Sequence, residues 1–281
     1  AQQPGDLDLN FGTDGISTFG ETLRHDQARS LALRPDGKIV ITGKVSSSSG
    51  QDNDIIVAQL LQNGLLDSDF GVNGVTVTDL GGTSDIGQDV VMGTGNKILV
   101  AAGSNQSGEF QAALIQYDTN GAIDASFGNS GSVFIDLGDN GSGIVSTSPM
   151  NAGYFFGIGY ANGDIAIAKF QQSGVLENTF GDSGIELIDL GASSDAGGRV
   201  VVQEDGLVLF TARKTEIGEF ANGVVGRLNP DGTLDLTFNG TGWLNLDLSN
   251  NIDIVVDFAL LPNGEVLTAG TVFDEVTLES E

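Results

Sequence analysis

Apolar and polar residues alternate at period two in short runs all along this chain, and the runs come back in the same order. Gly74 opens VTVTDLG, Gly131 opens SVFIDLG, Gly184 opens IELIDLG and Gly242 opens WLNLDLS. Each has the alternation of a half-buried strand. After a polar turn, a second run begins at an acid, over residues 26–33, 85–92, 195–202 and 253–260. In each, a small or apolar residue stands two places after the Asp and apolar residues stand five and seven places after it. An Asp-Gly, Asn-Gly or Gly-Asn pair follows and supplies the positive φ of a tight hairpin. A third strand therefore runs antiparallel beside the second, at 39–42, 98–101, 154–158, 208–211 and 266–269. These segments are near-continuously apolar, which predicts burial on both faces. A loop of variable length leads to a fourth strand at 54–61, 110–117, 164–170 and 224–228. No window sustains a 3.6-residue period with caps, so no helix is expected.

The runs are punctuated by one motif. LDSDFGVNG at Leu66 returns as LDLNFGTDG at Leu7, IDASFGNSG at Ile123, LENTFGDSG at Leu176 and LDLTFNGTG at Leu234. Its phenylalanines, Phe11, Phe70, Phe127, Phe180 and Phe238, are separated by 59, 57, 53 and 58 residues. Recurrence of this kind marks a repeat architecture. The chain divides into repeats at approximately 7–65, 66–122, 123–175, 176–233 and 234–281 within a single domain, 1–281. Four antiparallel strands per repeat predict an all-β fold, a five-bladed β-propeller of four-stranded blades. An open β-solenoid is the alternative, although its coils usually run shorter than ~30 residues. The ends suggest closure: the chain begins with the turn that elsewhere follows strand four, and residues 274–278 read as a fourth strand for the last blade.

The motif, joined to RPDGKIVITGK at Arg34, NKILVAAG at Asn96, QEDGLVLFTA at Gln203 and LPNGEVLTAG at Leu261, and to DIIVAQLLQNG at Asp54, DIAIAKFQQSG at Asp164 and GVVGRLNPDG at Gly223, resembles the delta-60 repeat family of bacterial exported proteins. The resemblance covers almost the whole chain. It implies a propeller-like fold and an exported setting, and it brings no catalytic residues. Copy three departs most: after Asp139 it reads NGSGIVSTSPMNAGYFFGIG, with no Asp-Gly or Asn-Gly pair before its third strand.

Charge narrows the partners. Eleven basic residues against 38 acidic ones leave a net charge of −27, which repels a phosphate backbone and an anionic membrane surface. No nucleic-acid partner and no direct membrane insertion are expected, since no apolar run approaches the ~20 residues of a spanning helix. The chain has no cysteine, and a core of this size needs no disulfide in any compartment. The opening Ala1 to Gly5 reads as a mature terminus after signal cleavage, and the abrupt finish at Glu281 suggests a longer chain. The setting expected is extracellular or the outer surface of a bacterium, with the periplasm open.

The candidate chemistry is sparse. The motif phenylalanines read as packing wedges between blades, and the flanking glycines as turn positions; in copy five the first of these is Asn239, the next most tolerant residue. The motif acids Asp8, Asp67, Asp124, Asp235 and Glu177 either cap Asx turns or bind calcium. The calcium reading rests on copies one and two, where further oxygen donors follow: Asp8, Asn10, Asp14 and Asp67, Asp69, Asn73. Calcium is the one cofactor considered. Asp26, Asp85, Asp195 and Asp253 recur at the head of strand two, so structure explains them more cheaply than catalysis does. His25 is the one histidine and a loop residue; common zinc sites and cysteine nucleophiles are excluded for want of ligands. Arg213 and Lys214 form the densest basic spot and are expected to pair locally. With no catalytic residue assigned, the expected function is a non-catalytic binding, display or scaffold module with a protein or surface-polysaccharide partner. The alternatives are a carbohydrate-active propeller enzyme using paired carboxylates, for which the single Trp243 and three tyrosines offer few stacking platforms, and a structural subunit of a surface appendage.

Overall fold

The alternating runs become strands where predicted, and the turn residues between them take the backbone conformations that their chemistry allows. A computed structural model describes residues 5–20, 26–46, 52–138, 141–218, 220–248, 252–261 and 263–272. It divides into two compact units, Ala1–Ile135 and Asp136–Glu281.

In the first unit, β1 (Gln27–Leu33), β2 (Ile39–Ser46), β3 (Asn53–Leu60) and β4 (Val75–Thr78) form one four-stranded sheet. A second contains β5 (Asp85–Met92), β6 (Ile98–Ser104), β7 (Gln111–Tyr117) and β8 (Ser132–Ile135). The second unit contains β9 (Gly143–Thr147), β10 (Tyr154–Ala161), β11 (Asp164–Gln171) and β12 (Ile185–Ile188); then β13 (Ser194–Val202), β14 (Val208–Thr215), β15 (Ala221–Leu228) and β16 (Trp243–Leu246). A two-stranded sheet of β17 (Asp253–Leu260) and β18 (Val266–Val272) follows. The expected fourth strand at 274–278 lies outside the described residues. Every pairing between named strands is antiparallel. Among the described residues the single helical element is a 3-10 turn, Thr94–Asn96, inside the β5–β6 hairpin.

The sheets are out of phase with the sequence repeat. Strand one of each copy, the run after the motif, pairs with strand four of the copy before it: Ala58 faces Val75, and Ile115 faces Ser132. The motif is thus the connection between the third and fourth strands of one sheet. Its backbone closes a compact turn in which Phe70 N–H donates to Asp67 and Gly74 N–H to Phe70. A side chain at Gly71 would strike the Val75 carbonyl at 2.3 Å, in a backbone at φ +52°. Asn239 takes the equivalent place at φ 52°, as its tolerance of the left-handed region allows.

Copy three reaches its hairpin another way. Asn151 and Tyr154 exchange backbone hydrogen bonds around Ala152 (φ 50°) and Gly153 (φ 86°). The turn has the double positive φ of an Asn-Gly hairpin, with an alanine forced into the first position.

The middle strands carry the core. All seven residues of β6 are buried, as a strand covered on both faces requires. In the first unit Val40, Val57, Phe70, Val100, Ile115 and Tyr117 share one cluster, and the buried Tyr117 hydroxyl meets Thr78 Oγ1 at 2.8 Å. In the second, Phe156, Ile167, Phe180, Phe210 and Val224 form the corresponding cluster, with Trp243 packed against it. Among the motif phenylalanines, Phe70, Phe127 and Phe180 are buried while Phe11 and Phe238 are half-buried. The wedge is visible at three of them: Phe11 lies against the Gly64 turn, Phe70 against the Gly121 turn and Phe180 against the Gly232 turn, each of the sheet that follows its motif. The motif backbone ties to the same turns, Gly71 N–H to Asn120 and Gly181 N–H to Asp231.

Candidate functional site

The acids of the chain sort into two sets by what holds them. Those of the motif are held by cations and turn donors. Asp67 Oδ2 accepts from Lys38 Nζ and from Gln59 Nε2, each at 2.7 Å, and its Oδ1 accepts the Asp69 N–H at 3.2 Å. Lys38 first, then Gln59, holds this carboxyl below its ordinary range against the opposing effect of burial. Lys97 does the same for Asp124, lowering it to about 2. Thr237 and Arg227 serve Asp235, whose carboxyl is also lowered. Asp8 accepts both the Asn10 N–H and its Nδ2 at 3.1 Å, an exposed Asx turn. Asp14 and Asn73 sit at φ 53° and 54°, one place before the glycine that ends the motif. The structure therefore joins Asp8 to Asn10 and Asp67 to Asp69. His25 lies outside the described residues.

The second set is gathered into two triads. Asp54, Asp79 and Asp85 each offer an oxygen to a group whose atoms lie within 4.8 Å of one another, and Asp164, Asp189 and Asp195 do the same. Both triads have the same spacing, 25 and then 6 residues. Each spans two neighbouring sheets of one unit: the first acid opens or nearly opens a sheet's third strand, the second follows the short fourth strand beside it, and the third stands at the head of the next sheet. Backbone contacts fix the juxtaposition, Asn53 N–H to Thr83 in the first unit and Asp195 N–H to Gly163, at 2.6 Å, in the second.

The third acid of each triad is buried and half-satisfied. Asp85 Oδ2 accepts the Leu80 N–H at 2.6 Å, and Asp195 Oδ2 accepts the Leu190 N–H at 2.8 Å. Both residues are at most 1 % exposed, and the remaining Oδ1 of each has no partner. Such an atom loses its hydration without a replacement, at a cost of roughly 1–3 kcal/mol. Burial, opposed by the Leu190 N–H, pushes the Asp195 carboxyl up, with Asp189 and Asp164 adding to the rise and Lys214 countering it. Asp54 is also raised, first by burial and then by Asp52, Asp79 and Asp85.

The triads differ in their surroundings. Opposite Asp195 in the β13–β14 ladder stands Lys214, and opposite Asp85 in the β5–β6 ladder stands Ser104. Lys214 Nζ bonds Glu216 at 2.8 Å and lies 5.4 Å from the centre of the Trp243 ring. Asp195 of the second triad lines a cavity of about 480 Å³ together with Tyr160, Gly163 and Arg213, and its remaining wall includes Val145, Ala212 and Ile254. Its volume and its mostly apolar wall with a few convergent polar groups suit a small organic ligand. Sequence reasoning had set the strand-two acids aside because they repeat. The equal spacing of both triads was the available signal, and the symmetry-breaking residues are their neighbours Arg213 and Lys214.

A protein-family model described as "Domain of unknown function (DUF5122) beta-propeller" matches residues 34–70, 96–127 and 217–238. No curated protein matches the chain. Solved structures similar to it include a provisionally named glycoside hydrolase from Parabacteroides distasonis (14% identity, 85% of this chain and 82% of that one, TM-score 0.41). A virginiamycin B lyase from Staphylococcus aureus has 9% identity, 89% coverage of both chains and a TM-score of 0.42. A GH43 endo-arabinanase from Bacillus licheniformis has 11% identity, 87% and 93% coverage and a TM-score of 0.41. At this distance they lend no residue role to the present chain. The proteins named are enzymes, glycoside hydrolases prominent among them, and the expectation of a non-catalytic binding, display or scaffold module runs counter to that company. That expectation rested on finding no singular chemistry in the sequence, whereas the fold sets a buried, half-satisfied carboxyl against a cavity. The segments matched by this β-propeller model carry turns and middle strands of three sheets.

Proposed function

We propose that this protein is a carbohydrate-active propeller enzyme that cleaves glycosidic bonds with paired carboxylates. The observation carrying the reading is Asp195: a buried carboxyl with one free oxygen, raised by burial, at the wall of the second unit's cavity with two further carboxylates within 4.8 Å. A glycosidase needs one carboxyl that stays protonated to donate to the leaving oxygen and another that is ionised. Asp195 takes the first part. Asp164, half-buried at the head of β11, takes the second and attacks the anomeric carbon, forming a glycosyl ester as the Asp195 proton passes to the departing oxygen. Water then enters, Asp195 removes its proton, and the ester breaks. The short separation favours this retaining route, since inverting enzymes hold their carboxyls roughly 6.5–9.5 Å apart to admit a water. Arg213 and Tyr160 supply hydrogen bonds to sugar hydroxyls at the cavity wall.

The reading includes a five-bladed ring of the delta-60 repeat type and export to the bacterial surface or medium, where polysaccharide is the partner met. Five motif copies and the high acidity support it. The test is release of reducing sugar from a panel of plant and bacterial polysaccharides, arabinans and xylans included, by the wild type and by Asp195→Asn. Turnover of at least one substrate that the variant loses is expected; no turnover by the wild type on any of them overturns the reading.

A further inference from the structure

The first unit's triad stands in a different environment from the second's, and the difference points to a different ligand. Asp85 is fully buried and spends its Oδ2 on the Leu80 and Gly82 N–H groups at 2.6 and 3.4 Å, which leaves Oδ1 for the cluster. Beside that oxygen, Asn105 Oδ1 and Ser104 Oγ complete a cradle: all three lie 2.6–2.8 Å from the point where a Cβ on Gly82 would stand. Asp52, the first of the three acids acting on Asp54, also holds a buried oxygen without a partner. A buried carboxylate oxygen without a donor, two more carboxylates and two neutral oxygens make a hard, anionic donor set of the calcium class.

The second unit lacks two of these features at matching positions. The turn Asp79-Leu80-Gly81-Gly82-Thr83-Ser84-Asp85 corresponds to Asp189-Leu190-Gly191-Ala192-Ser193-Ser194-Asp195. The Ala192 methyl thus stands where the Gly82 cradle is open. Lys214 stands where Ser104 does, so that triad already has a cation near it. We infer that the first unit binds one calcium ion at Asp54, Asp79 and Asp85, with Ser104 and Asn105 as neutral donors, and that the second unit's triad binds none.

The experiment is equilibrium dialysis of the EDTA-stripped full chain against radioactive calcium at fixed ionic strength, with the wild type, Asp79→Asn, Gly82→Ala, Asp67→Asn and Asp164→Asn. One ion per wild-type chain is expected. Removing a mere outer partner of a metal site costs roughly 10–100-fold in affinity, so Asp79→Asn should lose at least that, and Gly82→Ala should lose it by filling the cradle. Asp67→Asn and Asp164→Asn should keep wild-type affinity. Gly82→Ala installs the residue that the second unit carries at this turn and so decides the matter should Asp79→Asn, which weakens the acceptor of the Gly81 N–H, not fold. Absence of calcium on the wild type, unchanged binding in both Asp79→Asn and Gly82→Ala, or loss in Asp67→Asn or Asp164→Asn overturns the assignment.

Discussion

Phe180→Ala removes a ring that the second unit's core is built around. Phe180 is fully buried, stands edge-on to Phe156 at 5.3 Å between centroids and 76° between planes, and lies 3.3 Å from where a side chain on the Gly232 turn would begin. Its neighbours belong to separate sheets and cannot all collapse into the space. The loss therefore combines the transfer free energy of the ring with a cavity, about 3–5 kcal/mol, a large share of the roughly 5–15 kcal/mol by which a domain is stable. Phe238 holds the same motif place but is half-buried, with the Arg227 guanidinium 5.0 Å from its ring centre, and its alanine variant should lose about half as much. Trp243, the one tryptophan, packs against the Phe180 cluster, so urea unfolding followed by its fluorescence reads the second unit. The midpoint should fall with an unchanged slope, which separates lost stability from altered compactness. A Phe180→Ala loss below about 1 kcal/mol, or equal to that of Phe238→Ala, would refute the wedge, since surface-like substitutions cost no more than this.

Other consequences follow from single residues. Ala152→Asn puts a tolerant residue at φ 50° in the β9–β10 turn and should stabilise the second unit by about 0.5–1 kcal/mol; a destabilised variant in the same urea assay contradicts the turn assignment. The Lys97–Asp124 pair, at 2.5 Å with Lys97 35% exposed, holds Asp124 near 2 against an ordinary 3.8. Because the folded value is the lower one, the pair's contribution is present above 3.8 and is lost as pH falls through about 2. Lys97→Met should flatten the acid limb of the stability curve in that window, by on the order of 1 kcal/mol after solvent screening; an unaltered limb would show the pair to be idle. Asp195 has the opposite sign: its raised folded value means stability present below the unfolded value and lost as pH rises through the folded one. Asp195→Asn should remove that loss, so a variant whose stability falls as steeply across the same pH range argues against a buried, strained carboxyl.

The strands and hairpins were legible because each is a local matter. Period two marks β5 and β17 to the residue, and Asp36-Gly37 and Asn263-Gly264 mark turns through the backbone they permit. Copy three shows the limit, since Ala152 carries no turn signal and its conformation is imposed by the flanking ladder. Pairing between copies was not legible: nothing in VTVTDLG says whether it joins the strand before it or after it, and the answer, Ala58 to Val75, put the sheet boundary after strand one. The triads were hidden for the same reason. Asp54, Asp79 and Asp85 are each ordinary in the sequence, and only the meeting of one sheet's edge with the head of the next brings them together. The motif acids had a legible turn role, while their cations Lys38, Lys97 and Arg227 come from other strands and loops and were not foreseen.

The most direct test of the account is the dependence of Asp195→Asn on leaving group, measured with aryl glycosides of the sugar that the wild type cleaves. If Asp195 delivers the proton, the variant should lose about 10²–10⁴-fold in kcat/KM on a poor leaving group, and little on a nitrophenolate that departs without one. An equal loss on both, or none, would contradict the assignment of Asp195 as the acid.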